Sequence, residues 1–193
     1  MTLKRLFDLF LALVVLLLFG WVLLLALVFA SIDTRSVGLF LQKRIGQEGR
    51  PFLIFKIKTL NDTTQRVSAF GRFLRKSKID ELPQLFNILN GSMSFVGPRP
   101  DIPGYADTLT GTDRIILAVK PGVTGLASLK YRNEETLLKQ QKNPLHYNDT
   151  VIWPDKVRLN LWYVNHQSFL LDLKILFYTF FPFPFDVDGI VGC

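Results

Sequence analysis

From Leu9 to Ile32 the chain carries no charged side chain: 24 residues, nearly all apolar, relieved only by Gly20 and Ser31. As an α-helix such a stretch runs roughly 36 Å, enough to cross a hydrocarbon core of about 30 Å. Each Leu, Ile, Phe or Val near its centre favours insertion by about 0.3–0.6 kcal/mol. The stretch is too long for the core of a signal peptide, and no small-residue cleavage site follows it. A chain of 193 residues has room for one modest core besides. Lys4 and Arg5 precede the stretch, while Arg35, Lys43 and Arg44 follow it. Basic residues stay on the cytoplasmic side, so a helix flanked by them at both ends is expected to enter and leave on one face. This predicts a re-entrant anchor over residues 1–35, with Phe19-Gly20 at its midpoint.

The net charge of +7 points to an anionic partner: nucleic acid, anionic lipid or a phosphorylated substrate. Cys193 stands alone at the last position, which excludes an internal disulfide and permits a cytosolic environment. Two histidines and one cysteine, far apart, make a zinc site improbable.

The run from Arg75 to Pro100 holds the chemistry. It reads R-K-S-K-I-D-E-L-P-Q-L-F-N-I-L-N-G-S-M-S-F-V-G-P-R-P. An acid pair, Asp80-Glu81, opens a predicted helix through Leu89, with Arg75 five residues before it. Pro83 is tolerated only near a helix start, which assigns Asp80 to the N-cap, and Asn90-Gly91 ends the helix. Ser77 and Asp80 also have the spacing of a capping box, the purely structural reading. Carboxylates beside guanidinium groups point instead to phosphate chemistry with a metal ion balancing charge.

This run resembles the core signature of the bacterial sugar transferase family, the small monotopic phosphoglycosyl transferases. Further segments are similar to that family's motifs: Lys4-Arg5-Leu6-Phe7-Asp8, Gln42 to Gly49, Phe55-Lys56-Ile57-Lys58-Thr59-Leu60, and Pro121-Gly122-Val123-Thr124-Gly125. The resemblance implies transfer of a sugar-1-phosphate from a UDP-sugar to a membrane polyprenyl phosphate, with release of UMP. Asp80 would be the nucleophile and a contact for Mg²⁺. Glu81 would hold the metal or help deprotonate the acceptor. Arg75 and Arg99 would clamp phosphates, the latter on a backbone stiffened by Pro98 and Pro100. Lys56 and Lys58 would add positive potential. The family usually bends its anchor at a Ser-Pro pair and has Arg where Lys58 stands. Here Phe19-Gly20 and a lysine without the bidentate fork take those places.

The expected fold is an α+β membrane protein: the re-entrant helix, interfacial amphipathic helices, and a small mixed α/β catalytic domain over residues 36–180 on the cytoplasmic face of a bacterial inner membrane. Leu39-Phe40-Leu41 and Phe52–Ile57 read as short strands, and Asn61–Arg66 as a loop. Val67–Lys76 reads as a basic amphipathic helix suited to the headgroup level. Ile115–Val119 is a short strand or helix end, and residues 121–125 a turn. Asn133–Lys142 is expected to be an exposed helix. Over Ser168–Thr179, Phe169, Leu170, Leu173, Leu176 and Phe177 share one face, set for the membrane or the core. Residues 181–193 form a Pro/Phe-rich tail, whose Phe180–Phe185 stretch is an aromatic wedge. A UDP-sugar, polyprenyl phosphate and the bilayer are the expected partners, without nucleic acid and with room for a homodimer. The competing function is a membrane-anchored basic module that binds anionic lipid or nucleic acid without catalysis; it explains neither the acid pair nor the G-P-R-P turn.

Overall fold

A computed structural model of the chain describes residues 2–181, 183 and 186–191. They fold into two compact units. One takes the residues up to Arg44 together with Pro51–Met93; the other takes Ile45–Arg50 together with the residues from Ser94 onward.

The first unit opens with α1, Leu3–Thr34, one uninterrupted helix that satisfies its own backbone as lipid requires. The Thr2 hydroxyl accepts from the Arg5 amide, and Arg35, at φ 51°, closes the other end. Gly20 lies within the helix with open space where a side chain would stand. Glycine leaves every backbone N–H in place, so the helix continues through it. Leu17 is 83% exposed and Trp21 64%, an apolar surface suited to lipid. The α1 helix is the one helix among the described residues long and apolar enough to cross a membrane.

Strands β1, Leu39–Ile45, and β2, Pro51–Ile57, pair as a hairpin. Their connection is too short for a parallel crossover. Helix α2, Ala69–Ser77, starts at Ser68, whose hydroxyl accepts from the Gly71 amide at 2.9 Å. A Cβ on Gly71 would stand 2.7 Å from the Thr59 carbonyl oxygen, so only glycine lets α2 approach so closely. Leu23, Ala26 and Ala30 of α1 form a core with Ile57 and Leu74, and Phe70, Ile79 and Leu82 pack against it. A short helix α3, Gln84–Leu89, follows. Near the other end of α1, Arg5 donates to the carbonyls of Ile88 (2.6 Å) and Leu89 (3.0 Å), the last carbonyls of α3.

The helix expected to start at Asp80 does not. Ile79–Glu81 is a single 3-10 turn, and Pro83 occupies the N-cap of α3. Pro83 has no N–H to return to Ile79, and its ring crowds the carbonyl one turn back, so regular helix begins only beyond it. Ser77 makes no capping box either: its hydroxyl donates to the Phe73 carbonyl at 2.8 Å.

In the second unit, β3, Ser94–Val96, pairs in parallel with β4, Gly122–Thr124, matching Ser94 to Gly122 and Val96 to Thr124. Residues 121–125 are therefore not a turn, as their glycines led one to expect, but mostly strand. A Cβ on Gly125 would lie 2.3 Å from the Gly97 carbonyl oxygen, which reserves that crossing for glycine. A 3-10 segment, Gly111–Ala118, takes the place of the element expected near Ile115. Then come α4, Leu126–Lys130; α5, Glu134–Lys139; α6, Pro144–Tyr147; α7, Trp153–Asn165; α8, Phe169–Phe180; and α9, Val187–Val191. Ile45, Ala106, Ile116 and Leu117 form its core with Trp153 and Leu161 against them. Lys130 bridges Asp155 (2.8 Å) and Asp188 (2.7 Å), and Arg158 reaches the same two carboxylates, tying α4, α7 and α9 together.

Helix α8 turns inward with Asp172, Ile175 and Leu176, leaving Leu170 and Phe177 exposed. Asp172 can be buried because Tyr163 donates to it at 2.6 Å. Of the aromatic tail, Phe180, Phe181 and Phe183 are exposed. Pro182, Pro184, Phe185 and Cys193 lie outside the described residues.

Candidate active site

The acid pair sits on the 3-10 turn between α2 and α3, inside the first unit. Lys56, from β2, reaches it: Lys56 Nζ stands 3.3 Å from Glu81 Oε1, with the two side chains only 19% and 10% exposed. Arg75, near the end of α2, is held by its Nε donating to the Thr59 hydroxyl at 2.8 Å. That bond leaves the terminal nitrogens of its guanidinium fork for another acceptor.

Asp80 differs from its neighbour. Its Oδ1 is buried with no hydrogen-bond partner. Burial, and next the adjacent Glu81 carboxylate, push the Asp80 carboxyl above its ordinary value, while Lys56, Lys78 and Arg75 pull it down. Desolvation makes a carboxylate more nucleophilic than one in water, while cations within electrostatic reach offset the charge of an approaching polyanion.

Thus Asp80, Glu81, Lys56 and Arg75 come together. Lys58, two residues on from Lys56 along the chain, is instead held by Asp62, four residues away. Arg99 belongs to the second unit, where its Nη1 donates to the Val123 carbonyl at 3.3 Å and it lines a small cleft with Pro98, Pro100 and Gly46. Sequence reasoning passed over Lys78, Thr59 and Asp62. Lys78 was legible as one more cation two residues before Asp80. The contact between Thr59 and Arg75 depends on the close approach of α2 that Gly71 allows, which no local pattern announces.

For a divalent ion, no group of three His, Cys, Asp or Glu side chains converges among the described residues. Two carboxylates do adjoin, and the orphaned Asp80 Oδ1 is an oxygen without a partner. That donor set fits Mg²⁺, which is commonly held by one or two carboxylates with the remaining positions left to water and substrate phosphate.

Comparison with known proteins follows the same line. The family model described as bacterial sugar transferase matches residues 1–184. The uncharacterized sugar transferase EpsL of Bacillus subtilis (strain 168) is 36% identical over 189 residues, covering 93% of this chain and 86% of that protein. The UDP-glucose:undecaprenyl-phosphate glucose-1-phosphate transferase of Klebsiella pneumoniae is 32% identical over 197 residues, covering 94% of this chain. Its namesake in Escherichia coli (strain K12) is 34% identical over 197 residues, covering 93%. The chain spans only 40% and 39% of the lengths of those two enzymes. With the match reaching from the long apolar helix through the acid pair to the tail, this chain belongs to the bacterial sugar transferase family.

Proposed function

We propose that the chain transfers a sugar-1-phosphate from a UDP-sugar to a polyprenyl phosphate such as undecaprenyl phosphate, releasing UMP, as the first membrane step in assembling a glycoconjugate. The observation that carries this reading is the buried, partnerless Asp80 Oδ1 with three cations around it. Two of the relatives above bear names stating the corresponding reaction with UDP-glucose and undecaprenyl phosphate.

In the first half-reaction an Asp80 carboxylate oxygen attacks the sugar-bearing phosphorus. The bond from that phosphorus to the oxygen bridging the two phosphates breaks, and UMP leaves with the electron pair. The sugar-phosphate is then an acyl phosphate on Asp80. In the second half-reaction a phosphate oxygen of the polyprenyl phosphate attacks the same phosphorus, the bond to Asp80 breaks, and the carboxylate is regenerated. Splitting the displacement lets one site serve two anionic substrates in turn. Arg75 and Lys56 neutralise the phosphate charge that would otherwise repel the carboxylate. Glu81, held by Lys56, is placed to take a proton from an acceptor phosphate that arrives protonated. Asp80 and Glu81 would hold Mg²⁺, which supplies charge neutralisation at the phosphates.

The acceptor is a lipid, so the site must work at a bilayer surface. Both ends of α1 are held by one unit: Arg5 on α3, and Ala30 in the core with Ile57 and Leu74. A helix that crosses a bilayer puts its ends on opposite faces, about 30 Å apart. One unit in contact with both ends, with basic residues flanking each, supports an anchor whose two ends stay on the cytoplasmic side.

The test is mass spectrometry of purified protein in nanodiscs exposed to a panel of UDP-sugars without acceptor. An adduct of sugar-phosphate mass is expected on Asp80, discharged when undecaprenyl phosphate is added, and absent in Asp80→Asn. Product formation by Asp80→Asn at the wild-type rate would overturn the assignment.

A further inference from the structure

Gln84, the first residue of α3, is 2% exposed, and its side-chain Nε2 is buried with no hydrogen-bond partner. It stands four residues beyond Asp80, whose Oδ1 is orphaned in the same way. Among the described residues only three buried side-chain polar atoms lack a partner, the third being Ser128 Oγ in the other unit. Native proteins pair nearly all such atoms, so two orphans four residues apart call for a cause.

The same short helix shows what a structural amide looks like. Asn87 is fully buried; its Oδ1 accepts from the Phe55 amide at 3.0 Å, and its Nδ2 donates to the Leu53 carbonyl at 2.7 Å and to Ser92 Oγ at 3.2 Å. It ties α3 to β2 and leaves none of these atoms unused. Gln84 is as deeply buried and makes no such bond through Nε2. Its N–H is a donor and Asp80 Oδ1 an acceptor, yet the two do not pair. A third body that accepts from one and engages the other would satisfy both. A phosphoryl group has that chemistry: its non-bridging oxygens accept, and its phosphorus is the centre a carboxylate oxygen attacks.

We propose that Gln84 is a catalytic hydrogen-bond donor, its side-chain amide holding a non-bridging oxygen of the phosphoryl group that passes through Asp80. This rests on reading Asp80 as the nucleophile. A neutral amide on the first turn of a helix adds orientation where the cations Lys56 and Arg75 add charge. The donor is already desolvated, so it pays no further desolvation as charge moves onto the equatorial oxygens.

The experiment compares Gln84→Met, of similar length and without a donor, with wild type in nanodiscs, using the UDP-sugar that forms the Asp80 adduct. Thermal midpoint, kcat and KM are measured together. The midpoint is expected to stay level or rise, because an unmet buried donor has gone. The kcat is expected to fall about tenfold to a hundredfold, the range for one hydrogen bond to a charged oxygen, and by more than KM changes. An unchanged kcat would overturn the proposal and assign the gap to a bridging water. A midpoint that drops in step with activity would also overturn it, showing a role in folding alone. An Asp80→Asn control without any adduct, measured alongside, keeps failure of the nucleophile assignment separate from failure of this one.

Discussion

Lys56 Nζ lies 3.3 Å from Glu81 Oε1, joining a strand residue to the second member of the acid pair across 25 positions of sequence. The ion pair is largely shielded, and Lys56 also lowers the pKa of Asp80. Removing it should act on both carboxylates. For Lys56→Met the expected kcat loss is about 10²–10³-fold, the cost of one preorganised charge-stabilising donor. Without that cation the Asp80 carboxyl titrates higher still, so the acidic limb of the pH–rate profile should move to higher pH. UMP release followed across pH checks both; an unmoved limb would show that Lys56 does not act on the nucleophile.

Arg5 gives α1 its hold on α3. Its two bonds end the carbonyl row of a helix only six residues long, where two good donors matter. Arg5→Ala should lower stability by about 1–3 kcal/mol, because it strips a charged donor from part-buried carbonyls. Arg5→Lys should recover only part of this, since an ammonium lacks the planar fork that spans both. Denaturant unfolding in detergent micelles measures the difference. Equal stability of Arg5→Ala and wild type would mean that water serves those carbonyls as well.

Two glycines should respond in opposite ways. In Gly125→Ala the new methyl would meet the Gly97 carbonyl at 2.3 Å, backbone against backbone, and the β3–β4 crossing would have to open. A loss of about 1–3 kcal/mol or more is expected. Gly20→Ala, with nothing within 4 Å, should leave activity alone and favour the helix by up to about 1 kcal/mol. Thermal midpoints of the two variants test this contrast directly. A destabilised Gly20→Ala would reveal that the anchor needs freedom at its middle.

Much of this architecture is legible in the sequence, where signals are local. The apolar run over Leu9–Ile32 gives α1, the spacing of Val67, Phe70, Phe73 and Leu74 gives α2, and the adjacent acids mark the site. What escaped depends on partners far along the chain. Gly122 and Gly125 read as turn residues because glycine is turn punctuation. In the fold they are small because Gly97, more than twenty residues away, lies against them. Asp172 is not one of the apolar residues that mark a face of α8, yet it is buried because Tyr163 supplies its donor from nine positions away. Lys56 and Lys58 have the two-residue spacing of one strand face and look equivalent, yet β2 ends at Ile57, and one lysine meets Glu81 while the other meets Asp62. Asp80 read as a cap because proline is welcome near a helix start, but Pro83 delays the helix beyond it.

The charge network of the second unit makes stability depend on pH in a stated direction. Burial works against ionisation of Asp155, but hydrogen bonds from Lys130, Tyr131 and Arg158 outweigh it and hold the carboxyl below its ordinary value of 3.8. Hydrogen bonding by Lys130 does the same for Asp188 against slight burial. A carboxyl whose folded pKa lies below its unfolded one binds fewer protons when folded. Its contribution is therefore complete above the unfolded value, near pH 4, and is lost as pH falls through the folded value. Asp155→Asn should unfold at a lower temperature than wild type at pH 7 and pH 5 by a similar margin, and the margin should shrink below pH 4. Thermal unfolding of both proteins from pH 7 to pH 3 measures it. A margin that stays constant to pH 3 would mean that the asparagine disturbs packing rather than charge, and a margin that widens in acid would reverse the sign assigned here to the network.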